Sequence, residues 1–126
     1  MINKTFLGGR VGNDPALKEF DNGGRLLNFS LATTEKYKNK QGETQETTYW
    51  HNIVIEGSAI DFVIKHVGKG DYLVLVGKVT YREYEKDGVK KWMTQIKSRE
   101  ITFLNKKKNQ GEEINNNGEE KDDLPF

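Results

Sequence analysis

The residues of this 126-residue sequence best suited to chemistry are flat rings set among cations. Tyr37 stands between Lys36 and Lys38, with Lys40 close behind. Trp50 lies in a period-two run beside Thr48, Asn52 and Glu56, and Tyr84 follows Lys78 and Arg82 at regular spacing, with Lys91 beyond a tight turn. A ring offers its π-face to another flat ring, and an ammonium or guanidinium displaces the counterions of a phosphate. Together they suit a strand of unpaired nucleotides. Covalent chemistry has few candidates. The absence of cysteine excludes a thiol nucleophile, a disulfide and a thiolate metal site. His51 and His66 fall on different elements, and the acids are scattered without metal-ligand spacing. His66 sits near the end of an expected helix, where a structural or dipole-related role is the default. The reading is non-enzymatic, with no catalytic residue, no metal and no cofactor.

These side chains need a scaffold, and the patterns upstream of residue 109 are mostly of period two. A first strand covers about Asn3 to Val11 and stops at Asn13-Asp14-Pro15; Ala16 to Phe20 continues it after a bend. Asp21-Asn22-Gly23-Gly24 is a hairpin turn. In the second strand Leu27, Phe29 and Leu31 alternate with Asn28, Ser30 and Ala32. A polar loop from Lys38 to Glu46 leads to a third strand, Thr47 to Glu56. Ser58 is a candidate cap for one helix, whose apolar stripe is Ile60, Val63, Ile64 and Val67; Gly68-Lys69-Gly70 stops it. A fourth strand spans Tyr72 to about Tyr84, and Asp87-Gly88 turns it into a fifth, Val89 to about Leu104. The order β-β-β-α-β-β is that of the OB-fold, an all-β five-stranded Greek-key barrel with one helix. A three-strand sheet with a separate hairpin gives the same string.

Strand parity shows which side chains share a face. In the third strand Ile53 and Ile55 lie with Tyr49 and His51, leaving Trp50 opposite with Thr48, Asn52, Val54 and Glu56. A tryptophan on the more polar side invites a surface role, although a closed barrel or a subunit interface would also bury it. In the fourth strand Tyr72, Val74 and Val76 precede Lys78, Thr80, Arg82 and Tyr84 on one side. A two-residue turn at Asp87-Gly88 sets Lys91 opposite Tyr84 and Met93 opposite Arg82. Lys78, Arg82, Tyr84 and Lys91 then share a surface, while Trp92 points away beside Glu83 and Tyr81 and ranks below Tyr84 as an additional stacking residue. Each cluster alone also reads as a solvated hairpin; three in one short domain favour binding.

Charge divides the chain. Residues 1–108 hold 19 of the 20 Lys and Arg but 13 of the 19 Asp and Glu, so a basic body precedes an acidic end. Residues 109–121, rich in Asn, Gly and Glu with Ile114 their one aliphatic residue, cannot bury enough apolar area to offset ordering and are expected to be a disordered linker. Asp122, Asp123, Leu124, Pro125 and Phe126 form an acidic tip with an apolar end, suited to a partner pocket with an apolar floor and a basic rim. The domains are thus 1–108, 109–121 and 122–126. The first residues contain no apolar run long enough for a signal peptide, and no stretch is long enough to span a membrane, so the expectation is a cytoplasmic protein with no membrane partner.

Asn3 to Pro15, Asn28-Phe29-Ser30-Leu31-Ala32-Thr33, Tyr49-Trp50-His51, Gly68-Lys69-Gly70-Asp71 and the tip Asp122 to Phe126 resemble, in order and spacing, the bacterial and phage single-stranded DNA-binding protein family. The resemblance runs from about residue 3 to 104 and resumes at the tip. It implies an OB-fold homotetramer that wraps single-stranded DNA, takes part in replication, recombination and repair, and docks replication and repair proteins through its tip. Matched position by position, Tyr37, Trp50 and Tyr84 fall on stacking aromatics and His51 on a subunit-interface residue. Glu56 departs from the family, which usually has an aromatic there; a carboxylate cannot stack and repels phosphate. The short hairpin and linker and the Lys- and Asn-rich composition hint at a phage or mobile-element member in a bacterial cell. The competing reading is an OB-fold replication adaptor, primosome-like, that binds protein or duplex nucleic acid.

Overall fold

The structure, a computed structural model, describes residues 1–107. The expected linker and tip therefore lie outside the described residues. The elements are β1 (Thr5–Val11), β2 (Ala16–Glu19), β3 (Arg25–Lys38), β4 (Thr44–Ile55), α1 (Ala59–His66), β5 (Tyr72–Lys86) and β6 (Val89–Asn105). Hydrogen-bonded neighbours run β1-β5-β6-β4-β3-β2, and β1 also pairs with β3, which closes a five-stranded barrel of the OB type with β2 as an outer extension. Every pairing is antiparallel except β4 with β6, whose parallel register sets Val54 beside Lys97.

Alternation builds the core. Leu27, Leu31, Ile55, Leu73 and Leu75 are fully buried, and Phe29, Ile53 and Ile96 join them. Each such side chain contributes roughly 1.5–3 kcal/mol by leaving water. The helix plugs one end with Ala59, Ile60, Val63 and Val67. Ile64, expected on the same stripe, is instead exposed, because the helix has only eight residues and rests on the barrel through a narrow strip. Ser58 does not cap through its side chain: its backbone is already helical, and the first turn is closed by the Ile60 N–H donating to the Gly57 carbonyl.

The residues expected to form a loop at 38–46 are instead two strand ends and a short turn. β3 continues through Lys38 and β4 starts at Thr44, with Lys36 opposite Glu46, so polar residues form a two-stranded arm beyond the barrel. Its turn is held by Asn39, whose side-chain oxygen accepts from the N–H groups of Gln41 and Glu43. At the other hairpin both Asp87 and Gly88 have positive φ, 54° and 77°, which gives the right-handed twist that a two-residue turn needs. Where β5 and β6 slip register, the buried Ser98 hydroxyl donates to a neighbouring strand carbonyl and accepts from the Glu100 N–H, satisfying backbone that the slip leaves unpaired.

Candidate nucleic-acid interface

The outer side of β4 carries Trp50, Asn52 and Val54, whose partners on β3 are Ala32, Ser30 and Asn28. On the β5–β6 hairpin the same side carries the opposed pairs Lys78 and Lys97, Thr80 and Gln95, Arg82 and Met93, and Tyr84 and Lys91. The Val54–Lys97 pairing joins these two surfaces into one. A trough follows the junction as two hollows of about 310 and 340 Å³, with Asn28, Arg82 and Gln95 lining both.

Trp50 is 62% exposed, yet its position is defined. The indole lies over Gly12, where an added Cβ would fall 2.4 Å from a ring carbon and 2.7 Å from the Ser30 hydroxyl. Asn13 fixes that corner, its side-chain oxygen accepting from both the N–H and the hydroxyl of Ser30. Tyr84 is half-buried, with Lys91 directly across. Lys38, Lys78, Arg82 and Lys91 take part in none of the ion pairs among the described residues, whereas Lys90, on the reverse side of the hairpin, is held by Glu83 at 3.5 Å. Lys36 is paired with Glu46 at 3.8 Å, an exposed contact that a phosphate can displace. This distribution leaves positive charge available on the side that carries Trp50 and Tyr84.

Tyr37 is placed differently. It faces Gln45 across the arm, so alternation sets it on the side opposite Trp50, while Lys36 and Lys38 stay on the Trp50 side. It is 54% exposed and borders a separate hollow of about 740 Å³ with Gly8, Arg10 and Tyr72. The Arg10 guanidinium lies 5.4 Å from the centre of the Tyr72 ring, which adds a cation to that separate hollow. Burial raises the Tyr72 phenol above its ordinary pKa, with Arg10 opposing, so the ring stays neutral and the positive charge is undiminished. Trp92, 64% exposed, sits opposite Glu83 on the reverse side of the β5–β6 hairpin. His51 is half-buried, within 2.8 Å of the Thr33 hydroxyl and level with Leu31. The Glu56 carboxylate is mostly buried and paired with Arg99 at 3.4 Å, so its charge is compensated within the protein.

Lys18 and Lys97 line the trough but escape a strand-by-strand reading. Lys97 follows Lys91, Met93 and Gln95 in alternation and could have been found by extending that series. Lys18 comes from β2, which the turn at 21–24 folds onto β3; its side is set by the register that puts it opposite Leu26, which a strand of four residues is too short to reveal by alternation. Among the described residues no cluster of three or more His, Cys, Asp or Glu could hold a metal ion, and no helix is long and apolar enough to cross a membrane.

Known proteins share this architecture. The profile of the Single-strand binding protein family matches residues 2–104. Single-stranded DNA-binding protein 1 of Chlorobaculum tepidum is 36% identical over 112 residues, 87% of this chain and 69% of that protein. The single-stranded DNA-binding protein of Bacteroides thetaiotaomicron is 42% identical over 98 residues, 75% of this chain and 61% of that one. Among solved structures, a Plasmodium falciparum SSB in complex with single-stranded DNA superposes with a TM-score of 0.73 at 31% identity, covering 86% of this chain and 96% of the other. A single-stranded DNA-binding protein variant from Thermus aquaticus shares the fold at 24% identity and a TM-score of 0.68, covering 87% of this chain and 52% of the other.

Proposed function

The chain belongs to the Single-strand binding protein family, and from that premise we propose that it binds single-stranded DNA without reading its sequence, along the trough lined by Arg82, on the side of the barrel that carries Trp50 and Tyr84. The observation that carries this reading is the joining of an exposed indole, a half-buried phenol and unpaired cations on one side of the barrel. Lys38, Lys78, Arg82 and Lys91 take phosphates, with Lys36 exchanging Glu46 for one, while Trp50 and Tyr84 stack on bases. Tyr37 acts from the other side of the arm, which fits a strand that wraps around the protein. Each stacked base contributes roughly 1–3 kcal/mol, and affinity falls with salt by about 0.7 log units per log unit for each phosphate contacted. The chemistry is binding and protection of the strand, with no enzymatic step.

Self-association is the second part of the proposal. Phe6 and Phe103 are 70% and 52% exposed, and the register puts them with Val74 and Val76 on the outer side of β1, β5 and β6. An apolar patch of this kind supports pairing with further copies of the chain, as a homotetramer with His51 near an interface. Sedimentation as a monomer at micromolar concentration would refute it. The tip from Asp122 to Phe126 recruits replication and repair proteins.

Titration of intrinsic fluorescence with oligo(dT) tests the central claim. Stacking on Trp50 quenches emission, and Trp50→Ala weakens binding by about 5- to 150-fold at fixed salt. Unchanged affinity in that variant would end the stacking role. Competition with duplex DNA separates this reading from the adaptor: equal preference for both forms favours the adaptor.

A further inference from the structure

We propose that Phe20 is a further base-stacking platform, taking a nucleotide at the β2 end of the trough while Lys18, Arg82 and Lys97 hold its phosphates. The proposal rests on the trough being the path of the strand. Phe20 lies just past β2 and is 45% exposed. Its place is set by a tight turn: its N–H donates to the Gly24 carbonyl at 2.8 Å, its own carbonyl accepts from the Gly23 N–H at 2.9 Å, and the Asn22 side chain accepts from the Gly24 N–H.

The hollow that Phe20 borders holds about 340 Å³, at the lower end of the range for small-molecule pockets. Leu26 and Val54 supply an apolar lining. Lys18, Arg82 and Lys97 also line it, and none of the three joins an ion pair among the described residues. Among the described residues no carboxylate lines it. An exposed ring, an apolar lining and three uncompensated cations together select a ligand that couples a flat base to an anion, and a nucleotide of the bound strand has that chemistry. Arg82 and Gln95 also line the adjoining hollow, which extends to Asn52, two residues from Trp50 on the same face of β4, and among the described residues no carboxylate lines either hollow.

Fluorescence anisotropy with labelled oligo(dT), on the full chain at fixed salt, tests this. Phe20→Ala and Phe20→Leu each weaken binding by about 5- to 150-fold, because leucine keeps apolar bulk but has no π-face; Phe20→Trp binds as well as the parent or better. The Phe20 variants keep the parent's salt slope, whereas Lys18→Ala lowers it by about 0.7. An oligonucleotide carrying 5-iodouracil cross-links to the peptide that contains Phe20. Parental affinity in both Phe20→Ala and Phe20→Leu overturns the proposal, as does tighter binding, which would mark the hollow as the seat of another ligand. Trp50→Ala keeps the two readings distinct. If it weakens binding while the Phe20 variants do not, only this platform falls; if neither matters, the trough itself is the wrong surface.

Discussion

Trp50 owes its usefulness to a glycine. A side chain exposed on a strand normally samples several rotamers, and ordering it on a ligand costs entropy. Here the indole lies over Gly12, in space that the Cβ of any larger residue would enter. Gly12→Ala should therefore push the exposed indole from its seat and crowd the Ser30 hydroxyl that Asn13 holds, with thermal denaturation checking that the fold is kept. The expected result is an altered tryptophan emission and a few-fold weaker hold on oligo(dT), about 1 kcal/mol; parental affinity would show that the seat is irrelevant. At this scale the sequence was legible where period-two alternation and a tight turn define geometry. Lys91 lies opposite Tyr84, and Met93 opposite Arg82, as the Asp87-Gly88 turn requires. The side taken by Tyr37 follows from the same parity, but only once β3 is known to run unbroken through Lys38. Its lysine neighbours conceal that, because a polar arm projecting from a barrel has the composition of a loop.

Elements are tied together at Asp71, just ahead of β5. Its carboxylate accepts from the Gly68 N–H after α1, and from the Lys106 ammonium and the Lys107 N–H after β6, each at 2.8 Å. Lys106 also donates to the His66 carbonyl at the helix end. Burial by itself would raise the Asp71 pKa, but the Lys106 ammonium and the two N–H donors outweigh it and hold the group below its ordinary value. A lowered folded pKa means that the stabilisation is complete above the unfolded value of about 3.9 and is lost as pH falls through the folded one. Asp71→Asn should then cost about 2–3 kcal/mol at pH 7, with the gap to the parent shrinking below about pH 4 in denaturant titrations. A gap independent of pH would show that the carboxylate's charge contributes nothing. Strands, helix and their order were readable from hydrophobic period and turn residues. This junction was not, because its partners are separated by 35 residues and meet only after the barrel closes.

At the scale of the whole chain, net charge conceals the design. The balance of +1 sums a basic portion, residues 1–108, and an acidic end that carries six of the 19 acids. A barrel with unpaired lysines on one side attracts any polyanion, its own acidic end included, and such attraction is screened over about 10 Å at 0.1 M salt. On the proposed reading the end would weaken DNA binding slightly and more so at low salt, while Leu124, Pro125 and Phe126 would give it a separate, apolar reason to dock on a basic-rimmed pocket in another protein. Deleting residues 122–126 separates these effects. Affinity for oligo(dT) should stay at the parental value or rise, with the rise confined to low salt, and pull-down of replication proteins should be abolished. Weakened DNA binding in the deleted chain would mean that the tip helps to hold the strand, a role its carboxylates could fill only by ordering another part of the protein.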